Sequence, residues 1–263
     1  MILKTTSLIS KNLRKLKEFR MKGIILAGGM GTRLKPLTDI DNKHLLPVYD
    51  RRMIEYPLQT LVDLGVKDVI LITGGNRPGM FLELLKNGKK HGVSRLYYTY
   101  QEGSGGIADA LKLAEPFMTR KEKCIVILGD NYFEGNMKAQ YKQWKRGNNT
   151  GACVLLKEVD KPWDFGVAEV ENEKVVSLEE KPTEPKSNLA VLGFYMFDHK
   201  LWDYIDKISP SGRGELEITD VLKFYMEDDD LSYTVYEDYW SDMGTFESRG
   251  EVAGRIFKKE TEQ

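Results

Sequence analysis

The sequence has 263 residues, 41% hydrophobic and 30% charged, with a net charge of −1. That balance is ordinary for a folded chain of one large or two small domains with a sizeable core. It offers no global basic field for nucleic acid or an anionic membrane, and no apolar run approaches the length of a membrane span.

The first twenty residues stand apart. They hold six basic residues and one acid, Glu18, whereas the remainder has a net charge of −6. Leu8, Ile9, Leu13 and Leu16 could form one face of a short basic helix, the pattern of a membrane-surface or targeting segment. The preferred expectation is a disordered extension over 1–20, or an upstream start codon with Met21 as the real beginning. The folded domain is accordingly assigned to 21–263.

Residues 23–27 predict a buried strand that runs into Leu26-Ala-Gly-Gly-Met-Gly-Thr-Arg-Leu34. Glycines let a backbone approach a ligand closely and present N–H groups to phosphate. Arg33 adds a permanent cation with a forked donor set. The loop fits neither the Walker nor the dinucleotide glycine template. The plain alternative is a strand-to-helix turn. Lys43, ahead of Leu45-Leu-Pro-Val48, is a further cation near this loop, with solvent or a helix cap as its alternative.

Amphipathic stretches near 53–64, 79–90 and 106–117 predict helices. Strands are expected at 68–72, 94–99 and 124–128 between and after them. This alternation argues for a Rossmann-like α/β fold, a mixed but mostly parallel sheet flanked by helices, with ligands at the carboxyl ends of the strands. Cys124 and Cys153 fall inside predicted strands and match no redox or zinc spacing. They read as buried free thiols in a reducing cytosol. His44, His91 and His199 form no ligand pair at helical spacing. After residue 150 shorter strands are expected at 151–158, 166–171, 174–179, 189–197 and 231–236. Helices are expected at 198–207, 218–227 and 245–259. No linker or repeat divides the chain, so a single α/β unit is predicted.

Polar clusters recur at predicted strand ends. Gly129-Asp130-Asn131 follows the strand at 124–128, where Asp130 could hold Mg²⁺ or simply cap a turn. Asp242, after the strand at 231–236, is a second such carboxylate. Two carboxylates from distant segments suit a Mg²⁺-bound triphosphate, because Mg²⁺ keeps waters and substrate oxygens. Glu179-Glu180-Lys181-Pro182 closes another strand, and the proline aims Lys181 outward, where it could bind a phosphate as a point charge, with a solvated charge run as the plain alternative. Arg213-Gly214-Glu215-Leu-Glu-Ile-Thr-Asp220 is expected to begin a helix with acids in its first turn. Glu215 could also reach a sugar hydroxyl.

Taken in order, these segments resemble the glucose-1-phosphate thymidylyltransferases, a group of sugar-1-phosphate nucleotidyltransferases. The match runs from Met21 essentially to the end and includes Lys43-x-Leu-Leu-Pro-Val-Tyr-Asp50, Glu180-Lys181-Pro182 and Asp242-x-Gly-Thr245. The resemblance implies a reaction of dTTP with glucose 1-phosphate to give dTDP-glucose and pyrophosphate, with Mg²⁺ as cofactor, in a cytoplasmic homo-oligomer. It implies that the backbone at Leu26, Gly28, Gly29 and Gly31 holds the nucleotide, with Thr32, Arg33 and Lys43 at its phosphates. By the same match Gln101 and Gly106 read the base, and Asp130 and Asp242 bind metal. Asn131, Gly166, Glu180, Val191 and Glu215 line the sugar. Lys181 grips the sugar phosphate. Arg33, Lys181 and Asp130 carry catalysis. A catalytically silent sugar-nucleotide binder would have little use for Arg33, Lys181, Asp130 and Asp242 together. The same chemistry with UTP, CTP or another hexose 1-phosphate is the nearer alternative.

The match departs from the family at several points. His44 stands where glutamine is common. Phe165 replaces a tyrosine, and Met243 sits where threonine is frequent. The loop after Gln101 is richer in glycine, which places base selectivity in question. The chain stops near 263 where longer members continue, so a regulatory nucleotide site built from that extension is not expected.

Overall fold

The computed structural model describes residues 21–119, 121–146 and 150–262. The basic helix considered for residues 8–16 lies outside them. In chain order the strands are β1 (Lys22–Ala27), β2 (Pro47–Val48), β3 (Arg51–Arg52), β4 (Asp68–Gly74), β5 (Arg95–Gln101), β6 (Cys124–Leu128), β7 (Tyr132–Phe133), β8 (Ala152–Glu158), β9 (Gly166–Glu171), β10 (Lys174–Glu180), β11 (Leu189–Phe197), β12 (Leu231–Val235) and β13 (Trp240–Ser241). The described α-helices are α1 (Glu55–Asp63), α2 (Gly79–Leu85), α3 (Ile107–Lys112), α4 (Lys138–Arg146), α5 (Lys200–Ile205), α6 (Ile218–Glu227) and α7 (Phe246–Thr261).

Nine strands form one sheet along the path β10-β9-β11-β6-β1-β4-β5, with β8 joined to β11 and β12 joined to β8. The strands β6, β1, β4 and β5 are mutually parallel, and β11 runs against β6, β8 and β9. Only β10 and β11 oppose the common direction, so the sheet is mixed but mostly parallel, as expected. Every residue of β1 and β4 is buried. Their apolar side chains alternate between two cores, because successive residues of a strand face opposite sides. Ile24, Leu26, Ile70, Ile72 and Val126 meet α3, α5 and α6 on one face. Ile25, Ala27, Val69, Leu71 and Ile127 meet α1, α2 and α4 on the other. Cys124 and Cys153 sit on opposite faces as buried free thiols, and burial pushes both thiol pKa values up.

A third, smaller core lies apart from both. It joins Leu34, Leu46, Val48, Met53, Tyr56, Tyr132 and Met243 to Val252 and Ile256 of α7. This core fixes the glycine-loop turn and the chain beside Asp242 on a common support. Helix α7 starts on a reciprocal capping box, in which the Thr245 side chain accepts from the Ser248 N–H and Ser248 Oγ accepts from the Thr245 N–H.

Several elements differ from expectation: the helix predicted for 106–117 ends at Lys112 ahead of a 3₁₀ turn over Glu115–Phe117, and the two-residue strands β2, β3, β7 and β13 were not expected. The helix predicted for 79–90 stops at Leu85, since Lys86 and Gly88 both take positive φ, and a separate 3₁₀ turn covers Lys89–His91. Helix α4 was not predicted. Its only buried residue is Trp144, and most of its other residues are charged or polar, so it lacks the apolar content that marks the others.

Candidate active site

The first wall of the site is the turn after β1. Gly31 adopts φ 65°, a left-handed conformation that favours glycine, and Thr32–Leu34 then form a 3₁₀ turn rather than the start of an α-helix. Gly28 is a matter of space. A Cβ there would collide with Gln101 Oε1 at the end of β5. Lys43 crosses behind this loop, and its ammonium lies 2.5 Å from Asp130 Oδ2, with both side chains only 14% exposed.

Asp130 follows β6 directly. Burial, the largest single effect, pushes its carboxyl pKa up, but the Lys43 charge together with the hydrogen bonds from Lys43 and Asn131 outweighs it and holds the pKa below the usual range. Asn131 Nδ2 donates to its Oδ1 at 2.9 Å, and the Trp240 indole donates to Asn131 Oδ1 at 2.7 Å. His44 is fully buried next to the pair. Asn42 Nδ2 donates to Gly74 O at 2.7 Å, so Asn42 Oδ1 must accept from His44 Nδ1 at 2.9 Å. Burial first, and the Lys43 charge second, push the His44 pKa down to about 3. The imidazole is therefore neutral with its proton on Nδ1.

The second carboxylate reaches this place through a short ribbon. β7 and β13 pair antiparallel with Tyr132 opposite Ser241, which brings Asp242 alongside the Asp130–Asn131 segment. Asp242 thus follows β13, not the longer strand β12 as the sequence implied. Burial and the charge of Asp130 both push its pKa up. Arg33 lies 3.5 Å from Asp242 Oδ2.

The opposite wall comes from the reversed strands. The carboxyl-terminal half of β11 pairs with β6, while Ala190 near its start pairs with Val167 of β9. The open end of the β9–β10 hairpin, where Glu180 faces Gly166, therefore stands just beyond the carboxyl end of β6. Lys181 is the next residue. Its φ of 44° is uncommon for a side-chain-bearing residue, and its N–H is held by Phe165 O at 3.0 Å. Strain of this kind collects at functional sites. Burial, then the nearby Glu217, push the Glu180 pKa up.

A cavity of about 310 Å³ joins the two walls. Of the residues predicted for the site, Leu26, Gly28, Gly29, Lys43, Gln101, Gly106, Asp130, Glu180, Lys181 and Glu215 line it. Gly31, Thr32, Arg33 and Asp242 lie outside that lining, with Arg33 and Asp242 paired to each other. Asn131, Gly166 and Val191 are also outside the lining, and Asn131 and Gly166 touch lining residues, Asp130 and Glu180. A Cβ on Gly166 would lie 3.2 Å from Glu180 Oε2 and 3.8 Å from Val191 Cβ.

Some lining residues were absent from the predicted site. Arg213 lines the cavity and donates through Nη2 to both carboxylate oxygens of the buried Glu217 at 2.9 Å. The acids at 215 and 217 do not open a helix as expected. α6 begins at Ile218, and Glu217 turns back to hold the guanidinium. The Arg-x-x-x-Glu spacing is the sequence signal for this pair, and it equally fits acids at a helix start. Asp109, also missed, accepts from Gln101 Nε2 at 2.8 Å.

The comparisons with known proteins identify the family and the fold. A family model described as nucleotidyl transferase matches residues 22–258. The glucose-1-phosphate thymidylyltransferase of Neisseria meningitidis serogroup A is 43% identical over 239 residues, covering 90% of this chain and 82% of that protein. The enzyme of the same name from Xanthomonas campestris is 41% identical over 238 residues, covering 89% and 80%. A solved structure from Bacillus anthracis, described as a candidate glucose-1-phosphate thymidylyltransferase in complex with sucrose, aligns with a TM-score of 0.83 at 42% identity, covering 89% of this chain and 94% of the other. A UDP-glucose pyrophosphorylase complexed with UDP-glucose shares the fold, with a TM-score of 0.79 at 22% identity over 91% of this chain and 99% of the other. By its matched length, its identity to these relatives and its fold, the chain belongs to the nucleotidyl transferase family.

Proposed function

We propose that the chain transfers a thymidylyl group from dTTP to glucose 1-phosphate, giving dTDP-glucose and pyrophosphate. The observation that carries this reading is one cavity with a glycine loop, Lys43 and Asp130 on one side and Glu180, Lys181 and Arg213 on the other. Two anionic substrates that react with each other need separate cationic seats and a shared middle. The relatives named for this reaction are similar along four fifths of their own length.

In this reading the amides of the glycine loop, from Leu26 through Gly31, hold the nucleotide, with Lys43, Thr32 and Arg33 at its phosphates. Gln101 and Gly106 face the base. Asn131, Gly166, Glu180, Val191 and Glu215 shape the sugar end, and Lys181 with Arg213 holds the sugar phosphate. An oxygen of that phosphate attacks the α-phosphorus in line. The bond to the bridging oxygen breaks, and its electron pair departs with pyrophosphate. No covalent enzyme intermediate is required, so catalysis rests on positioning and on charge neutralisation. Arg33, already drawn to Asp242, needs only to exchange one anionic partner for another as charge develops on the leaving group.

The donor set fits a divalent cation. Asp130 and Asp242 are hard oxygen donors close enough that the charge of one raises the pKa of the other, a repulsion a cation would relieve. These two carboxylates would hold Mg²⁺, which would neutralise phosphoryl oxygens of the triphosphate.

Pyrophosphate release from dTTP, UTP, dCTP and GTP, each against several hexose 1-phosphates, tests the proposal. The highest kcat/KM is expected for dTTP with glucose 1-phosphate. No turnover with any pair would overturn the enzymatic reading, and a strong preference for UTP would overturn the thymidylyl assignment.

A further inference from the structure

The base-facing end of the cavity has its polarity set by a residue outside the lining. Gln101 is buried at the end of β5. Its amide nitrogen donates to Gly106 O at 3.1 Å and to Asp109 Oδ2 at 2.8 Å. Both partners can only accept, since one is a carbonyl and the other a carboxylate. The amide therefore has one allowed orientation. A flip would set Oε1 against two acceptors in a buried place.

The consequence falls on the other end of the amide. Oε1 is pressed against Gly28, and Gly28, Gln101, Ser104, Gly106 and Ile107 line the same end of the cavity. Among the described residues no donor reaches Oε1. The cavity there presents a fixed acceptor next to the glycine-loop backbone. Asp109 is itself fixed. It sits in the first turn of α3 and folds back over Gly105, where an added Cβ would lie 2.5 Å from Oδ2.

We propose that Asp109 is a specificity-positioning residue. It locks the Gln101 carbonyl toward the ligand, so that the site accepts a base carrying an imide N–H and rejects one carrying a ring-nitrogen acceptor at that position. Thymine and uracil carry an N3–H. Cytosine offers a bare N3, which would meet Oε1 acceptor to acceptor. The device separates imide bases from cytosine and is silent on the thymine methyl group. The inference rests on the nucleotide reading above.

The test is the Asp109→Asn variant, in which the side chain can either accept from Nε2 or donate to a flipped Oε1. Kinetics of pyrophosphate release are measured for dTTP and dCTP in the wild type, D109N, Q101A and D109N/Q101A. In D109N the ratio of kcat/KM for dTTP over dCTP is expected to fall at least about tenfold, the scale of one mispaired buried hydrogen bond. In the Q101A background D109N should leave the ratio unchanged, because the group it acts through is gone. A merely structural role would lower rates with both nucleotides alike and lower the melting temperature, with the ratio intact. That result would overturn the proposal. So would an equal change of ratio in both backgrounds. Absence of wild-type turnover with every nucleotide would instead overturn the underlying functional reading, which keeps the two failures distinct.

Discussion

Asp130 and Asp242 are both carboxylates drawn out of water, and their surroundings treat them in opposite ways. Lys43 compensates Asp130 and holds its pKa below the usual range. Asp130 therefore adds stability above the ordinary carboxylate pKa, and that stability is lost as pH falls through its lowered folded value. The Lys43→Met change strands this buried charge. It should cost about 3–5 kcal/mol at neutral pH, with the deficit narrowing in acid. Urea denaturation at several pH values checks it. Asp242 has the reverse sign. Its pKa is raised, so the folded chain holds the proton more tightly than the unfolded chain, and ionised Asp242 costs stability at pH 7. Asp242→Asn keeps the oxygen that accepts from the Gly244 N–H. In metal-free buffer it should raise Tm at pH 7 by about 2–4 °C, the scale of roughly 1 kcal/mol. The gain should vanish as pH falls toward the ordinary value of 3.8. Activity should drop roughly 10²–10³-fold. A lower Tm at pH 7 would show that the carboxylate is not held against its own charge.

The elements that aim these side chains are small, and that explains which of them were legible. Strands β6, β9 and β11 were read to the residue because their apolar runs are continuous or alternate cleanly, and both patterns survive in a single sequence. The two-residue strands β7 and β13 carry no period at all, yet their pairing places Asp242 beside Asp130. The sequence flagged both carboxylates through their neighbours and could not say what joined them. The Gln101–Asp109 contact is invisible for a related reason, since hydrogen-bond partners across a loop leave no spacing rule, whereas Arg213–Glu217 has an i,i+4 spacing that equally suits a helix start. The third core is a further case. Leu34 lies one residue from Arg33 and is fully buried against α7 and Met243. Leu34→Ala should destabilise the chain by about 2–5 kcal/mol. The denaturation midpoint should fall with an unchanged m-value, and kcat should fall further than global stability at the assay temperature explains, because Arg33 and Asp242 lose their common support. Full kcat in a destabilised variant would show that this core holds the fold without aiming the site.

On the scale of the molecule, β11 is the strand that makes one site out of two half-sheets. The parallel strands β6, β1, β4 and β5 end at the glycine loop, Asp130 and Gln101. Within the sheet, the β9–β10 hairpin, which brings Glu180 and Lys181, is hydrogen-bonded to them through the far end of β11, and its buried face meets the first core beside α6. A ligand that touches one wall therefore leaves the other free to open locally, whereas a ligand that spans both must suppress opening of each. Hydrogen exchange should show this asymmetry. Saturating dTTP should slow exchange in the glycine loop and around Gln101, with little change at 166–181. dTDP-glucose should slow both regions together. In Lys181→Ala the protection at 166–181 should be lost while that of the glycine loop persists, because the nucleotide part still binds the first wall. Protection of the hairpin by dTTP alone, equal to that given by dTDP-glucose, would mean that the walls move as one body and that β11 transmits binding rather than merely joining the halves.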